Sequence, residues 1–259
     1  MNNLSDMIWI EVRKAIRSRM PIWTSLGSLF MPLGIALILL IAKNPEISKK
    51  LGLISAKADL MAYTATDWSS YLVLYAEIIA VGGFFFFILA ISWVFGREFV
   101  DGTLKDLLAV PVQRISIVLA KFIVVIVWCL AMAALILIFG LVVGSLIQLP
   151  GGSLSVILNG CFVAGATVCL VIAVVLPFAF FASVGRGYML PIALSVLTVI
   201  TANLMMALGW AEIFPWAVPM LHAQGASTMM PMSYWIVLFT SLAGMLVTYL
   251  WWKYADQNR

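Results

Sequence analysis

Histidine occurs once in these 259 residues, cysteine three times, and charged side chains make up only 10%. Each scarcity excludes something. With His222 alone and no His-Glu-x-x-His, a multi-histidine metal site is ruled out. Cys129, Cys161 and Cys169 are odd in number, lie inside apolar runs and lack Cys-x-x-Cys spacing, which argues against a disulfide framework or a zinc site; they read as small buried hydrophobes. No Gly-x-x-x-x-Gly-Lys-Ser/Thr loop is present, and the dipeptide Gly-Lys does not occur, so ATP is not bound here by that device. A soluble domain carries about 25% charge. A chain 64% hydrophobic with so little charge is an integral membrane protein.

What is present is a series of long apolar runs. Six of them, about 21–42, 71–95, 116–143, 154–183, 189–208 and 233–252, each supply the roughly 20 residues that cross a hydrocarbon core. In lipid each must be helical, because unpaired backbone groups find no water. The expectation is an all-α membrane protein with six transmembrane helices in a single domain, 1–259. The loops, at most roughly two dozen residues, are too short to bury a second core. Pro32 and Pro177 predict kinks, and the third and fourth runs must tilt or project beyond the bilayer. Residues 1–20 set an apolar stripe (Met7, Ile8, Ile10, Ala15, Ile16) against a polar side of Glu11, Arg13, Lys14, Arg17 and Arg19, the pattern of an interfacial helix. No cleavable signal peptide is evident.

Lys and Arg set the orientation. With the N-terminus inside, the cytoplasmic side holds Arg13, Lys14, Arg17, Arg19, Arg97, Lys105, Arg114, Lys121, Arg186, Lys253 and Arg259, against Lys43, Lys49, Lys50 and Lys57 outside. Both termini and the 96–115 loop are expected in the cytoplasm, in a bacterial plasma membrane. The outer 43–70 loop is polar and could form one short helix. Residues 209–232 are too apolar for a solvated loop and too broken, by Pro215, Pro219, Gly225 and Pro231, to span; two short re-entrant or interfacial helices are expected there, with Trp210 and Trp216 at headgroup level.

Few residues carry chemistry. Glu77 is the only carboxylate within a span, a candidate pathway or ion site balanced by its closeness to the outer end. Lys121 is expected to snorkel from the third span. Asn159 and Asn203 read as helix–helix hydrogen-bonding groups, and Gly82-Gly83 as a close-packing site beside an aromatic wall. Clustered catalytic groups at one depth are not seen. The clearest signal is 96–121. Arg97 and Glu98 sit at the mouth of the second span; Asp101, Gly102 and Thr103 turn the chain into a short amphipathic helix, with Leu104, Leu107 and Leu108 on one face and Lys105 and Asp106 on the other; Pro111 ends it and Arg114 flanks the return.

The string Glu98-x-x-Asp101-Gly102-Thr103-Leu104-Lys105-x-Leu107-Leu108, then Pro111-x-x-Arg114, then Lys121, resembles the signature of type-2 ABC exporter (ABC-2) permeases, and the order of elements matches over essentially the whole chain. Length and compact outer loops look most like the subgroup handling bacitracin, lantibiotics and similar peptides. The resemblance implies a coupling helix at about 103–109, framed by Glu98, Asp101 and Arg114, docking on a separate ATP-binding subunit that holds ATP and Mg. This chain would then need no cofactor and have no enzyme activity. It also implies a second permease copy or similar permease, a hydrophobic or amphipathic cargo, an interfacial helix on the inner leaflet, and an outer gate at Pro215, Trp216 and Pro219. Export of lipid, drug or polysaccharide, or ion-coupled transport using Glu77, stay open as alternatives; no nucleic-acid partner is expected.

Overall fold

The computed structural model describes residues 3–43, 66–109, 111–225 and 229–254, apart from the side chains of residues 3, 40–43 and 108. The expected short helix in the 43–70 loop falls largely outside the described residues. Every regular element among the described residues is helical. In chain order these are α1 (Asn3–Arg17), α2 (Met20–Ser28), α3 (Phe30–Lys43), α4 (Trp68–Ile78), a π-helical turn (Ile79–Gly83), α5 (Phe84–Val100), α6 (Leu104–Ala109), α7 (Arg114–Leu146), α8 (Leu154–Val175), α9 (Phe178–Val184), α10 (Met189–Ala207), α11 (Val218–Ala223) and α12 (Pro231–Tyr254).

Among the described residues six stretches are long and apolar enough to cross a membrane: Met20–Leu39, Trp68–Val100, Arg114–Leu146, Leu154–Val184, Met189–Ala207 and Pro231–Tyr254. The protein is therefore a multi-pass membrane protein, and the six apolar runs of the sequence coincide with the six spans. Local chemistry sets where they start. Asp67 caps α4, its carboxylate accepting from the Ser70 N–H at 3.1 Å while the Ser70 hydroxyl accepts from the Asp67 N–H at 3.3 Å. Ser153 caps α8, accepting from the Val156 N–H. Both expected prolines lie at breaks: α2 gives way to α3 at Leu29, just before Pro32, and α8 to α9 at Leu176–Pro177.

The second span is the axis of the bundle. Its first half, α4, packs on α8, and its second half, α5, on α7 and α9, while α1 lies along α7. Close approach uses small residues: a Cβ at Gly144 of α7 would sit 2.7 Å from the Trp68 ring, and the backbone of Gly244 in α12 runs against Pro177. Tyr71, Tyr75, Phe87, Phe95 and Phe122 are fully buried. By contrast α10 buries few of its residues within the chain, Pro191 and Ser195 among them, and leaves about half exposed.

Candidate functional site

The N-terminal helix α1 buries one stripe against the bundle: Met7, Glu11 and Ala15, four residues apart. Glu11 thus faces inward, 4% exposed. There it meets the inward faces of two spans. Lys121, about two turns into α7, is fully buried. Its ammonium donates to Glu98 Oε1 at 2.8 Å, to the Val94 carbonyl at 2.8 Å and to Glu11 Oε2 at 3.4 Å. Three N–H donors meet three acceptors, the full capacity of a lysine. Lys14 completes the group, donating to Glu11 Oε1 at 2.8 Å and Glu98 Oε1 at 3.2 Å. Two carboxylates and two ammoniums sum to zero charge, which is what a buried cluster requires. Burial pulls the Lys14 pKa down, but the carboxylates of Glu11 and Glu98 outweigh it and hold the group above its ordinary value. Glu98 Oε2 is buried with no hydrogen-bond partner among the described residues.

This knot joins α1, α5 and α7 directly behind the short helix α6. Arg97, beside Glu98, points the other way: its Nε donates to Asp101 at 3.1 Å, its guanidinium lies over the Trp93 ring, and Nη1 reaches the Lys14 carbonyl at 3.5 Å. Asp101 ends α5, and Gly102 reverses the chain at φ +69°, a conformation that favours glycine although nothing crowds its Cα within 4 Å. The Thr103 carbonyl then accepts the Leu107 N–H at 3.1 Å to close the first turn of α6. On the far side Arg114 Nη1 donates to the carbonyls of Trp252 and Lys253 at 3.0 and 2.9 Å, capping the last turn of α12. So the two helices that flank α6 are each tied to a neighbour, α5 to α1 through Arg97 and α7 to α12 through Arg114.

The sequence places Glu98, Asp101, Gly102, Thr103, Leu104, Lys105, Leu107, Leu108 and Arg114 in one docking surface. The structure distributes them differently. Leu104 is buried in the chain's own core and Leu107 packs partly against it, while Asp101, Thr103, Lys105, Asp106 and Arg114 are exposed. Glu98 faces the knot. The Leu108 side chain lies outside the described residues. Lys121 does not snorkel to water: it is fully buried, and the carboxylates of Glu11 and Glu98 and the Val94 carbonyl take its three donors. The signal that marks Glu11 as an inward partner is its place on the Met7–Ala15 stripe, in a helix otherwise rich in cations.

At the opposite end, residues 211–217 form linked turns and Val218–Ala223 is helical, where two short helices are expected; Pro215 and Pro219 deny the backbone donors a longer helix needs. Trp216 donates its indole N–H to the Val174 carbonyl at 2.9 Å, three residues before Pro177, and Pro219 is buried. His222 Nδ1 and the Tyr234 hydroxyl are 2.9 Å apart, and burial lowers the imidazole's pKa. A cavity of about 230 Å³ opens here, lined by Val81, Phe84, Thr198, Asn203, Trp216 and Met220. Asn203 donates to Val199 of its own helix at 2.8 Å rather than across to a neighbour. Glu77 stands apart from this cavity on α4, half-buried and without an ion pair among the described residues. No group of three or more potential metal ligands occurs among the described residues.

Comparison with known proteins agrees with this architecture. Residues 7–203 match the ABC-2 family transporter protein family, which spans α1, the knot, α6 and five spans. The bacitracin transport permease protein BCRB of Bacillus licheniformis is 26% identical over 200 residues, covering 74% of this chain and 91% of that protein. Six spans, a short helix between the second and third, and a family match over most of its length place this chain in the ABC-2 transporter family, as the transmembrane permease subunit of an ABC transporter.

Proposed function

We propose that this permease works as the membrane half of an ATP-driven exporter, with α6 as the coupling helix that receives the push of a separate ATP-binding subunit. The observation that carries the reading is the bracing of the chain on either side of α6. Leu104 and Leu107 turn into the bundle, and the flanking helices are tied to neighbours, α5 to α1 through Arg97 and α7 to α12 through Arg114, so a force on the exposed face of α6 reaches all four. That exposed face carries Asp101, Thr103, Lys105 and Asp106, which makes the contact with the partner polar rather than leucine-faced. ATP and Mg sit in the partner; this chain holds neither. In this reading both termini and α6 face the cytoplasm, as the Lys and Arg distribution indicates.

Two permease copies pair through faces each leaves uncovered, among them that of α10, the span with the smallest buried share. The cargo is a peptide antibiotic of the bacitracin or lantibiotic kind. Support comes from the bacitracin transport permease relative and from an amphipathic cavity beside the broken outer segment, where Trp216, Pro215 and Pro219 act as the outer gate. The test is a charge reversal, Lys105→Glu with Asp106→Lys, in cells carrying the permease and its ATP-binding subunit. Bacitracin resistance is expected to fall at least about tenfold while the bundle's melting curve stays unchanged. Full resistance in that variant would refute the role of α6, and absence of any bacitracin phenotype in the unaltered strain would refute the cargo.

A further inference from the structure

A second polar feature lies on the exposed side of α1, bordering the knot at Lys14. It is an open pocket of about 330 Å³, lined by Trp9, Arg13, Lys14, Arg17, Ser18 and Arg97. Four cations surround it, but their charges are not equally available. Lys14 is paired with Glu11 and Glu98, and Arg97 with Asp101. Arg13 and Arg17 have no carboxylate within ion-pair distance among the described residues, and both are exposed. They are one helical turn apart on the same face, where two like charges repel. Arg13 is held in place by stacking over the Trp9 ring at 4.8 Å. The pocket therefore presents two uncompensated guanidiniums, whose planar forks match the oxygens of a phosphate.

Its height in the fold identifies the source of that phosphate. The helix α1 ends at Arg17, the first span begins at Met20, and Arg97 is three residues from the end of the second span. The pocket sits where spans meet water, the level of lipid phosphates. Ile10 lines the pocket as well, and Ile22 and Trp23 at the start of the first span are exposed apolar side chains. We infer that this pocket binds one phosphate group, that of an anionic phospholipid whose acyl chains follow this apolar surface. Because Lys14 lines the pocket and also belongs to the knot, the bound headgroup touches the residue that ties α1 to α5. This inference does not depend on the transported cargo.

The test uses the full-length protein in phosphatidylcholine nanodiscs, with native mass spectrometry counting retained lipids. Phosphatidylglycerol is expected to bind one per chain, with Arg13→Gln/Arg17→Gln weakening it about tenfold or more and Arg13→Lys/Arg17→Lys retaining most of it. Arg19→Gln, a neighbouring cation outside the pocket, is expected to change it less than about twofold. Equal weakening by Arg19→Gln would mean diffuse surface attraction and would overturn the site, as would equal retention of phosphatidylcholine. Inorganic phosphate binding as tightly as phosphatidylglycerol would overturn the lipid assignment in favour of a free anion. Both exposed arginines lie outside the core, so a melting curve matching the unaltered protein verifies that the double variant is folded.

Discussion

The two ends of the bundle solve the same problem with different chemistry. At the α6 end, helices are joined by buried charge: Glu11, Lys14, Glu98 and Lys121 make one neutral knot across three elements. At the other end, the chain between α10 and α12 is broken, apolar and held by single neutral hydrogen bonds such as Trp216 to Val174. A charged knot has a strict geometry, because removing one of its buried members, Glu11, Glu98 or Lys121, leaves the remaining buried charge unbalanced. A single neutral bond in a greasy surround can be lost and remade at small cost. The end joined by charge carries α6, the coupling helix of the proposed mechanism, and the end joined by neutral bonds lies beside the cavity.

That contrast is sharpest at Lys121. Lys121→Met leaves two buried carboxylates with one ammonium, and is expected to cost about 3–5 kcal/mol, read as a large drop in thermal midpoint in detergent. Adding Glu98→Gln to that variant should recover part of the loss, since the net charge of the cluster returns to zero. If Lys121→Met were as stable as the unaltered protein, the knot would not be the rigid element described. A smaller effect belongs to Gly102→Ala, which forces a side chain into the left-handed region and should cost about 1–2 kcal/mol; the Asp101–Thr103 turn would loosen and amide exchange in α6 would rise.

At the end joined by neutral bonds the expected changes are smaller. Trp216→Phe keeps the ring but strands the Val174 carbonyl, for a loss of about 0.6 kcal/mol by the same melting assay; a loss as large as that of Lys121→Met would erase the distinction between the two ends. The smallest effect is a pH dependence from His222. Its folded pKa lies below its ordinary value because burial disfavours the charged ring. The unfolded chain therefore binds more protons just below pH 6.5, so stability is fully present above that value and declines as pH falls toward the folded pKa. His222→Gln should flatten that decline, as followed by thermal midpoints between pH 7.5 and about 5.

The legible and illegible parts of this fold divide along physical lines. Span positions follow from one-dimensional hydropathy, so Arg114–Leu146 and Met189–Ala207 fall within a few residues of the runs read from the sequence. Proline breaks are local covalent constraints, and both were legible. Partner choice was not. Lys121 looks like a snorkelling residue until α1 and α5 are placed around it, and Leu104 looks outward-facing until α6 is seen packed on its own bundle. Amphipathicity says that a helix has an apolar side, but not whether a neighbour in the same chain or another protein covers it. Glu11 was within reach, since its spacing from Met7 and Ala15 puts it on the apolar stripe.

The π-helical turn at Ile79–Gly83 has a consequence at the far end of its span. Such a turn amounts to one residue inserted into an α-helix, and each residue advances the helical phase by about 100°. Everything from Phe84 to Val100 is therefore rotated by that amount relative to an uninterrupted continuation of Trp68–Ile78. Deleting a single residue within the turn would undo the offset and swing Glu98, about 25 Å downstream, off the azimuth of Lys121. The register of the charged cluster is thus set by an indel-sized irregularity in the middle of the membrane, at a distance no direct contact spans.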